Sequence, residues 1–203
     1  MNRPRALAVA AVAAGALALV ACGSVAGSTG PGASGASSGT SPSPRPSGRA
    51  AAGPCAPSAL KISLDSADAG VAAGSSYVPL EFANVSASPC TLPSYPGVTF
   101  AFGPSGPTIG PPAVQQDKAA AQTVLLAPGQ LAHSWLQIVA AASYPADSCH
   151  PVTAQGLLIR LASSGPATFL ADSISACAQP PSGSAPLGVF PVRAGQPQRG
   201  TVP

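Results

Sequence analysis

The chain has 203 residues, among them 22 glycines and 25 prolines, and only 7% of its residues are charged. So many prolines argue against long helices, and the composition is not typical of a cytosolic enzyme. The formal net charge of +3 arises near the N-terminus, because the chain from Cys55 onward has five basic and six acidic side chains. This nearly neutral region lacks the basic surface that nucleic-acid binding needs.

Residues 1–21 are predicted to be a signal peptide. Arg3 and Arg5 precede an uncharged, apolar run over residues 6–21. As a helix this run would span about 24 Å, which is short of the roughly 30 Å hydrocarbon core of a bilayer. A basic start followed by a short apolar run is typical of a signal peptide. A permanent transmembrane anchor is the alternative.

The segment Leu19-Val20-Ala21-Cys22 ends the apolar run and resembles the lipobox of bacterial lipoproteins. The resemblance implies that the thiol of Cys22 receives a diacylglycerol and that the chain is cleaved before it. Two acyl chains hold a protein at a bilayer where one would release it. The predicted partner of Cys22 is therefore a lipid bilayer, whereas the alternative is a chance cysteine beside an ordinary cleavage site.

Residues 22–54 are predicted to carry the acylated cysteine and then a disordered tether rich in Gly, Ser and Pro. No apolar period runs through them, so they cannot form a core. As a random coil the tether would average about 30 Å from end to end and would lift a domain off the membrane. Residues 194–203 are predicted to be a flexible tail.

From Cys55 onward, apolar and polar residues alternate with a period of two, which predicts half-buried strands. In the segment 97–102, for example, Val98, Phe100 and Phe102 share one face. Turns are predicted at 94–97 and 127–130, where Pro and Gly are adjacent. Residues 115–122 are the candidate for a single helical turn. The predicted strands cover 60–65, 77–82, 97–102, 122–126, 131–139, 156–161, 168–174 and 187–192.

Seven or eight short strands separated by turns predict an all-β domain over residues 55–193. The expected fold is an antiparallel β-sandwich of immunoglobulin-like type, and a small barrel is the alternative. A chain of this length can bury most of the surface that it exposes when unfolded, so a substantial core is available.

Four cysteines remain when Cys22 is set aside, which is an even number in a chain predicted to be exported. Cys55 precedes the first predicted strand and Cys90 follows the second, so antiparallel pairing would bring both to one end of the sheet. The same reasoning applies to Cys149 and Cys177. The strand order thus favours disulfides Cys55–Cys90 and Cys149–Cys177 over the two other pairings.

Several short segments between residues 55 and 193 form a recognisable set. They are Tyr77-Val78-Pro79-Leu80 with Asn84, Cys90-Thr91-Leu92, Tyr95-Pro96-Gly97-Val98, Leu126-Ala127-Pro128-Gly129, Cys149 and Cys177. Together they resemble a family of exported actinobacterial proteins known only as a domain of unknown function. The resemblance implies a secreted or lipidated β domain, and it supplies no activity and no catalytic residue.

Candidate chemistry is sparse along the chain. His133 with Asp117 or Asp147 could supply part of a catalytic triad, but no nucleophile motif accompanies them, and a cross-strand histidine is the simpler interpretation. Cys149 is followed by His150, yet no second pair of ligands has the spacing of a metal site. We therefore predict no catalytic residue, no metal and no cofactor.

The residues indicate a membrane-anchored extracytoplasmic lipoprotein, held at the outer face of the cytoplasmic membrane with its domain in the cell-wall space. Its expected role is non-catalytic: binding a wall polymer, a small ligand or another envelope protein. The loops 103–122 and 140–155 are the candidate contact regions, with Tyr95, Trp135 and Tyr144 as possible aromatic contacts. The alternative is an envelope hydrolase that uses His133.

Overall fold

The computed structural model describes residues 52–118, 122–198 and 203. The predicted signal peptide, the predicted lipid-attachment residue Cys22 and all but the last three residues of the predicted tether lie outside these ranges. Among the residues described, none of the helices is long and apolar enough to cross a membrane.

Strands dominate the described part of the chain. In chain order they are β1 (Leu60–Leu64), β2 (Gly70–Ala72), β3 (Ser75–Asn84), β4 (Cys90–Leu92), β5 (Gly97–Ala101), β6 (Thr108–Ile109), β7 (Val114–Gln115), β8 (Val124–Leu126), β9 (Leu131–Val139), β10 (Pro151–Arg160), β11 (Ala167–Cys177), β12 (Leu187–Val189) and β13 (Arg193–Ala194). Short 3₁₀ turns cover Pro57–Ala59 and Ala141–Ser143, and a four-residue helix, α1, covers Ala146–Cys149.

Two open sheets face each other across one core. The first has the order β1-β3-β9-β12-β7, with β2 added to β3 and β13 to β9, and the second has the order β11-β10-β5-β6. A small separate ladder joins β4 to β8. Every pairing of named strands is antiparallel except β12 with β7. The predicted all-β sandwich of immunoglobulin-like type is confirmed, and the barrel alternative is excluded because neither large sheet closes on itself.

The core is built by the alternation that the sequence shows. Leu80 and Phe82 of β3 and Leu136 of β9 pack against Phe100 of β5 and Ile159 of β10, and none of these side chains is more than 2% exposed. Burying each such side chain contributes roughly 1.5–3 kcal/mol. Contact between inward-facing residues of both sheets is what holds the sandwich together.

The structure adds strands that are too short to show a period of two. All eight predicted strands are present, whereas β2, β4, β6, β7 and β13, each of two or three residues, were not predicted. The prediction of a helical turn over 115–122 is wrong for its first two residues. Gln115 belongs to β7, and the amide of Gln116 donates to the carbonyl of Val189 at 2.9 Å. Residues 119–121 lie outside the described ranges.

Two further details depart from expectation. Phe102 does not share the buried face of Val98 and Phe100: β5 ends at Ala101, the chain turns, and Phe102 is 40% exposed. The predicted boundary of the flexible tail, residue 194, is too early in the chain. Ala194 still pairs with Ala132, and the amide of Gly195 donates to the carbonyl of Leu131 at 2.7 Å. Backbone hydrogen bonds to β9 keep this segment on the sheet.

Two disulfides close the domain at separate points. Cys55 is joined to Cys90 and Cys149 to Cys177, with sequence separations of 35 and 28 residues. These are the two pairs that the strand order favours. All four cysteines are buried, and bonds of this kind persist in oxidising compartments outside the cytosol.

Candidate functional site

A groove of about 750 Å³ opens beside the turn formed by Tyr95, Pro96 and Gly97. We call it the Tyr95 groove. Most of its lining residues are apolar, and they come from four regions of the chain, represented by Pro93, Pro112, Leu161 and Val189. Proline rings have few rotatable bonds, so these walls are already formed in the free protein. A preformed apolar groove of this size with a few polar groups is typical of a ligand site.

Among the described residues that line the groove, Arg160 alone is charged. It is the last residue of β10, its side chain is exposed, and its Nη1 donates to the carbonyl of Gly165 at 3.2 Å. Its register partners are Gly97 on β5 and Ala167 on β11. Because both partners are small, the guanidinium is not crowded from either side.

Tyr95 fastens one wall of the groove. Its hydroxyl donates to the carbonyl of Gln116 at 2.7 Å and also lies 3.0 Å from the carbonyl of Asp117. Burial raises the pKa of the Tyr95 phenol, the Asp117 carboxylate raises it further, and the Arg193 guanidinium opposes them. Arg193 and Asp117 are 3.8 Å apart with both side chains about half exposed, so this ion pair adds little stability. Tyr95 therefore holds the segment after β7 mainly through its hydroxyl.

Replacing Tyr95 with Phe is expected to lower the free energy of unfolding by about 1 kcal/mol at pH 7, because the hydroxyl bond to Gln116 is lost. A raised pKa in the folded state also means that the wild-type phenol contributes stability in full below pH 10, and that this contribution is lost as the pH rises above 10. Urea unfolding at pH 7, 9 and 11 measures both effects. The variant should lose less stability than the wild type between pH 9 and 11, and parallel losses would contradict the assignment.

His133 does not have the surroundings of a triad base. It is 8% exposed on β9, and its Nδ1 lies 2.8 Å from the carbonyl of Gly195. In a triad a carboxylate occupies that position and orients the imidazole. Here Asp117 pairs with Arg193, and Asp147 lies on α1 beside the disulfide of Cys149. The imidazole is thus oriented by the segment that follows β13.

The remaining candidate residues have structural partners. Cys149 is bonded to Cys177, His150 adopts a left-handed conformation that ends α1, and the described residues contain no cluster able to hold a metal. Asn84 begins Asn84-Val85-Ser86, which matches a glycosylation sequon. It is buried, and its Nδ2 donates to the carbonyls of Ser88 and Leu126. These bonds hold the turn after β3 and leave the amide inaccessible.

The predicted contact loops are separated by the fold. From 103–122, Pro112, Ala113 and Gln115 line the Tyr95 groove, whereas no residue of 140–155 does so. Tyr144 packs against the buried Cys149–Cys177 disulfide. Trp135 is only 8% exposed and is not among the groove residues, so of the three aromatic residues suggested by the sequence, Tyr95 alone lines the groove.

Sequence reasoning missed part of the groove. Pro112 lies in the predicted contact loop 103–122, but Arg160 and Pro93 carry no motif of their own. The signal that could have found the groove is Tyr95-Pro96-Gly97, but nothing local shows that Arg160 lies beside it. Their proximity arises from the pairing of β5 with β10.

Comparison with known families finds a match for most of the domain. The model of a family described as "Domain of unknown function (DUF4232)" matches residues 55–193. Comparison with curated proteins and with solved structures finds no match. The matched range includes all four disulfide cysteines, Tyr95 and Arg160. Because this match covers more than half of the chain, the protein belongs to the DUF4232 family of domains of unknown function.

Proposed function

We propose that this protein is an extracytoplasmic lipoprotein, anchored in the cytoplasmic membrane through an acylated Cys22. The segment Leu19-Val20-Ala21-Cys22 at the end of an apolar run supports the anchor. The two disulfides support an oxidising location, and they leave Cys22 as the one cysteine outside the domain. The low lysine content is compatible with the actinobacterial origin that the sequence resemblance implies.

We further propose that the β-sandwich is a non-catalytic binding module of the cell envelope, facing the cell-wall space. The observation that carries this proposal is the Tyr95 groove, which combines rigid apolar walls with Arg160, the one charged side chain among the described residues that line it. The surroundings of His133 do not favour the alternative of a hydrolase. The carbonyl of Gly195 occupies the position at Nδ1 where a catalytic triad has a carboxylate that orients the imidazole. A wall polymer or another envelope protein is the partner class.

Replacing Cys22 with Ala is expected to abolish acylation, because no thiol remains to accept the diacylglycerol. The product should then keep residues 1–21 and run as a larger species. Growth with an alkyne-tagged fatty acid, followed by gel analysis of the membrane fraction, measures label and size together. Ser24→Ala is the matched control and should be labelled and processed like the wild type. A membrane-bound Cys22→Ala product of normal size would refute the anchor.

Cross-linking in cells followed by pull-down tests the binding role.

A further inference from the structure

We propose that the Tyr95 groove binds the C-terminal end of a short apolar peptide, with Arg160 receiving the terminal carboxylate. This inference rests on the proposed binding function and specifies its ligand. It follows from the charge of the groove, from its extent and from the kind of polar groups along it.

The charge of the groove selects a ligand with one negative charge. Within the part of the chain that the structure describes, no other charged residue lines the groove besides Arg160. A guanidinium carries five N–H donors in a planar fork that matches a carboxylate, and the bond to Gly165 uses one of them. A phosphate monoester carries close to two negative charges, so a single arginine would leave one of them without compensation beside apolar walls. A carboxylate is neutralised in full.

The space around Arg160 permits this contact. The residues opposite it in register are Gly97 and Ala167, neither of which has a side chain that reaches over the guanidinium. The bond from Nη1 to the carbonyl of Gly165 orients the group on the loop between β10 and β11. An oriented guanidinium loses less conformational entropy when it binds a carboxylate.

The space beside Arg160 extends beyond the groove itself. A second cavity of about 230 Å³ adjoins it, because Pro93, Leu161 and Ala162 line both spaces. This cavity continues to Pro54 and Cys55, near the start of the domain. Its surface is mainly apolar, which suits small aliphatic side chains rather than charged ones.

Polar side chains in the groove favour a peptide over a fatty acid. Thr99, Gln115 and Ser163 line it together with the apolar residues. Hydroxyl and amide groups can pair with the N–H and C=O groups of a peptide backbone. An alkyl chain would leave these side chains without partners when it displaced their water.

Fluorescence anisotropy with the purified full chain in detergent tests the inference. The probes are N-terminally labelled tetrapeptides of alanine, leucine and proline with a free C-terminal carboxylate, and the same peptides ending in a carboxamide. We expect the acid form to bind at least about tenfold more tightly than the amide. Arg160→Gln should remove this preference. Lys61→Gln, which removes an exposed positive charge on β1, is the matched control and should retain it.

Three binding results would overturn the inference: equal affinity for the acid and the amide, no binding of any probe, or an unchanged preference in Arg160→Gln. Decanoate is the fatty-acid competitor, and the inference would also fail if decanoate displaced the probe at a lower concentration than the unlabelled peptide acid. Circular dichroism of each variant verifies that the fold is retained. In-cell cross-linking separates the two proposals. A partner retained equally by the wild type and Arg160→Gln would overturn the groove assignment alone, whereas enrichment of no partner and no polymer would oppose the proposed function.

Discussion

Replacing Cys149 and Cys177 together with alanine is expected to lower the free energy of unfolding by about 3–4 kcal/mol. The bond closes a loop with a sequence separation of 28 residues, and its removal frees that loop in the unfolded chain. Both cysteines are almost fully buried beside Ala141 and Tyr144, so the missing sulfur atoms also leave a small void.

Urea unfolding of the full chain purified from an oxidising compartment measures this loss. Ser175→Ala, at an exposed position of β11, is the control and should change stability by less than about 0.5 kcal/mol. A loss below about 1 kcal/mol in the double variant would contradict the role assigned to the bond. The Cys55–Cys90 bond has a separation of 35 residues, so its removal should cost a similar amount.

Replacing Gly156 with Ala is expected to destabilise the domain by about 3 kcal/mol or more. An added Cβ would overlap the carbonyl oxygen of Leu170 and would lie 2.7 Å from Cζ of Phe169. The backbone oxygen cannot rotate away, so the pairing of β10 with β11 would have to shift. Gly156 also follows the register shift after Ala154, where the ladder is already irregular.

Thermal unfolding followed by circular dichroism measures the effect of this substitution. Gly53→Ala is a suitable control, because an added Cβ there meets no atom within 4 Å, and it should change the Tm by no more than about 2 °C. If Gly156→Ala unfolds with the Tm of the wild type, then β10 and β11 do not approach each other as closely as the structure indicates.

These predictions depend on features that differ in how well the sequence reveals them. The alternation in β9 places Leu136 and Ile138 toward the core, and the strand bounds Leu131–Val139 follow from the sequence alone. Local side-chain periodicity carries this information, so no knowledge of distant residues is needed. The favoured disulfide pairs required a further assumption, that the strands beside the cysteines are antiparallel neighbours, and the structure shows this pairing for β1 with β3 and for β10 with β11.

Short strands escape this kind of reasoning. β7 has only two residues, and it exists because Val114 and Gln115 pair in parallel with Gly188 and Val189, more than seventy positions away. β13 likewise depends on its pairing with Ala132 and His133. Strands of this length have almost no intrinsic preference, so tertiary contacts decide them.

The sequence by itself determined the all-β class and the alternating core of the long strands, because a period of two is a property of neighbouring residues. Only the tertiary structure decided that Arg160 lies beside the Tyr95 turn. Tyr95 and Arg160 are separated by the chain that forms β5 through β10, and the register of β5 against β10 places Gly97 opposite Arg160. A groove made from strand ends and turns depends on that register, which no local pattern contains.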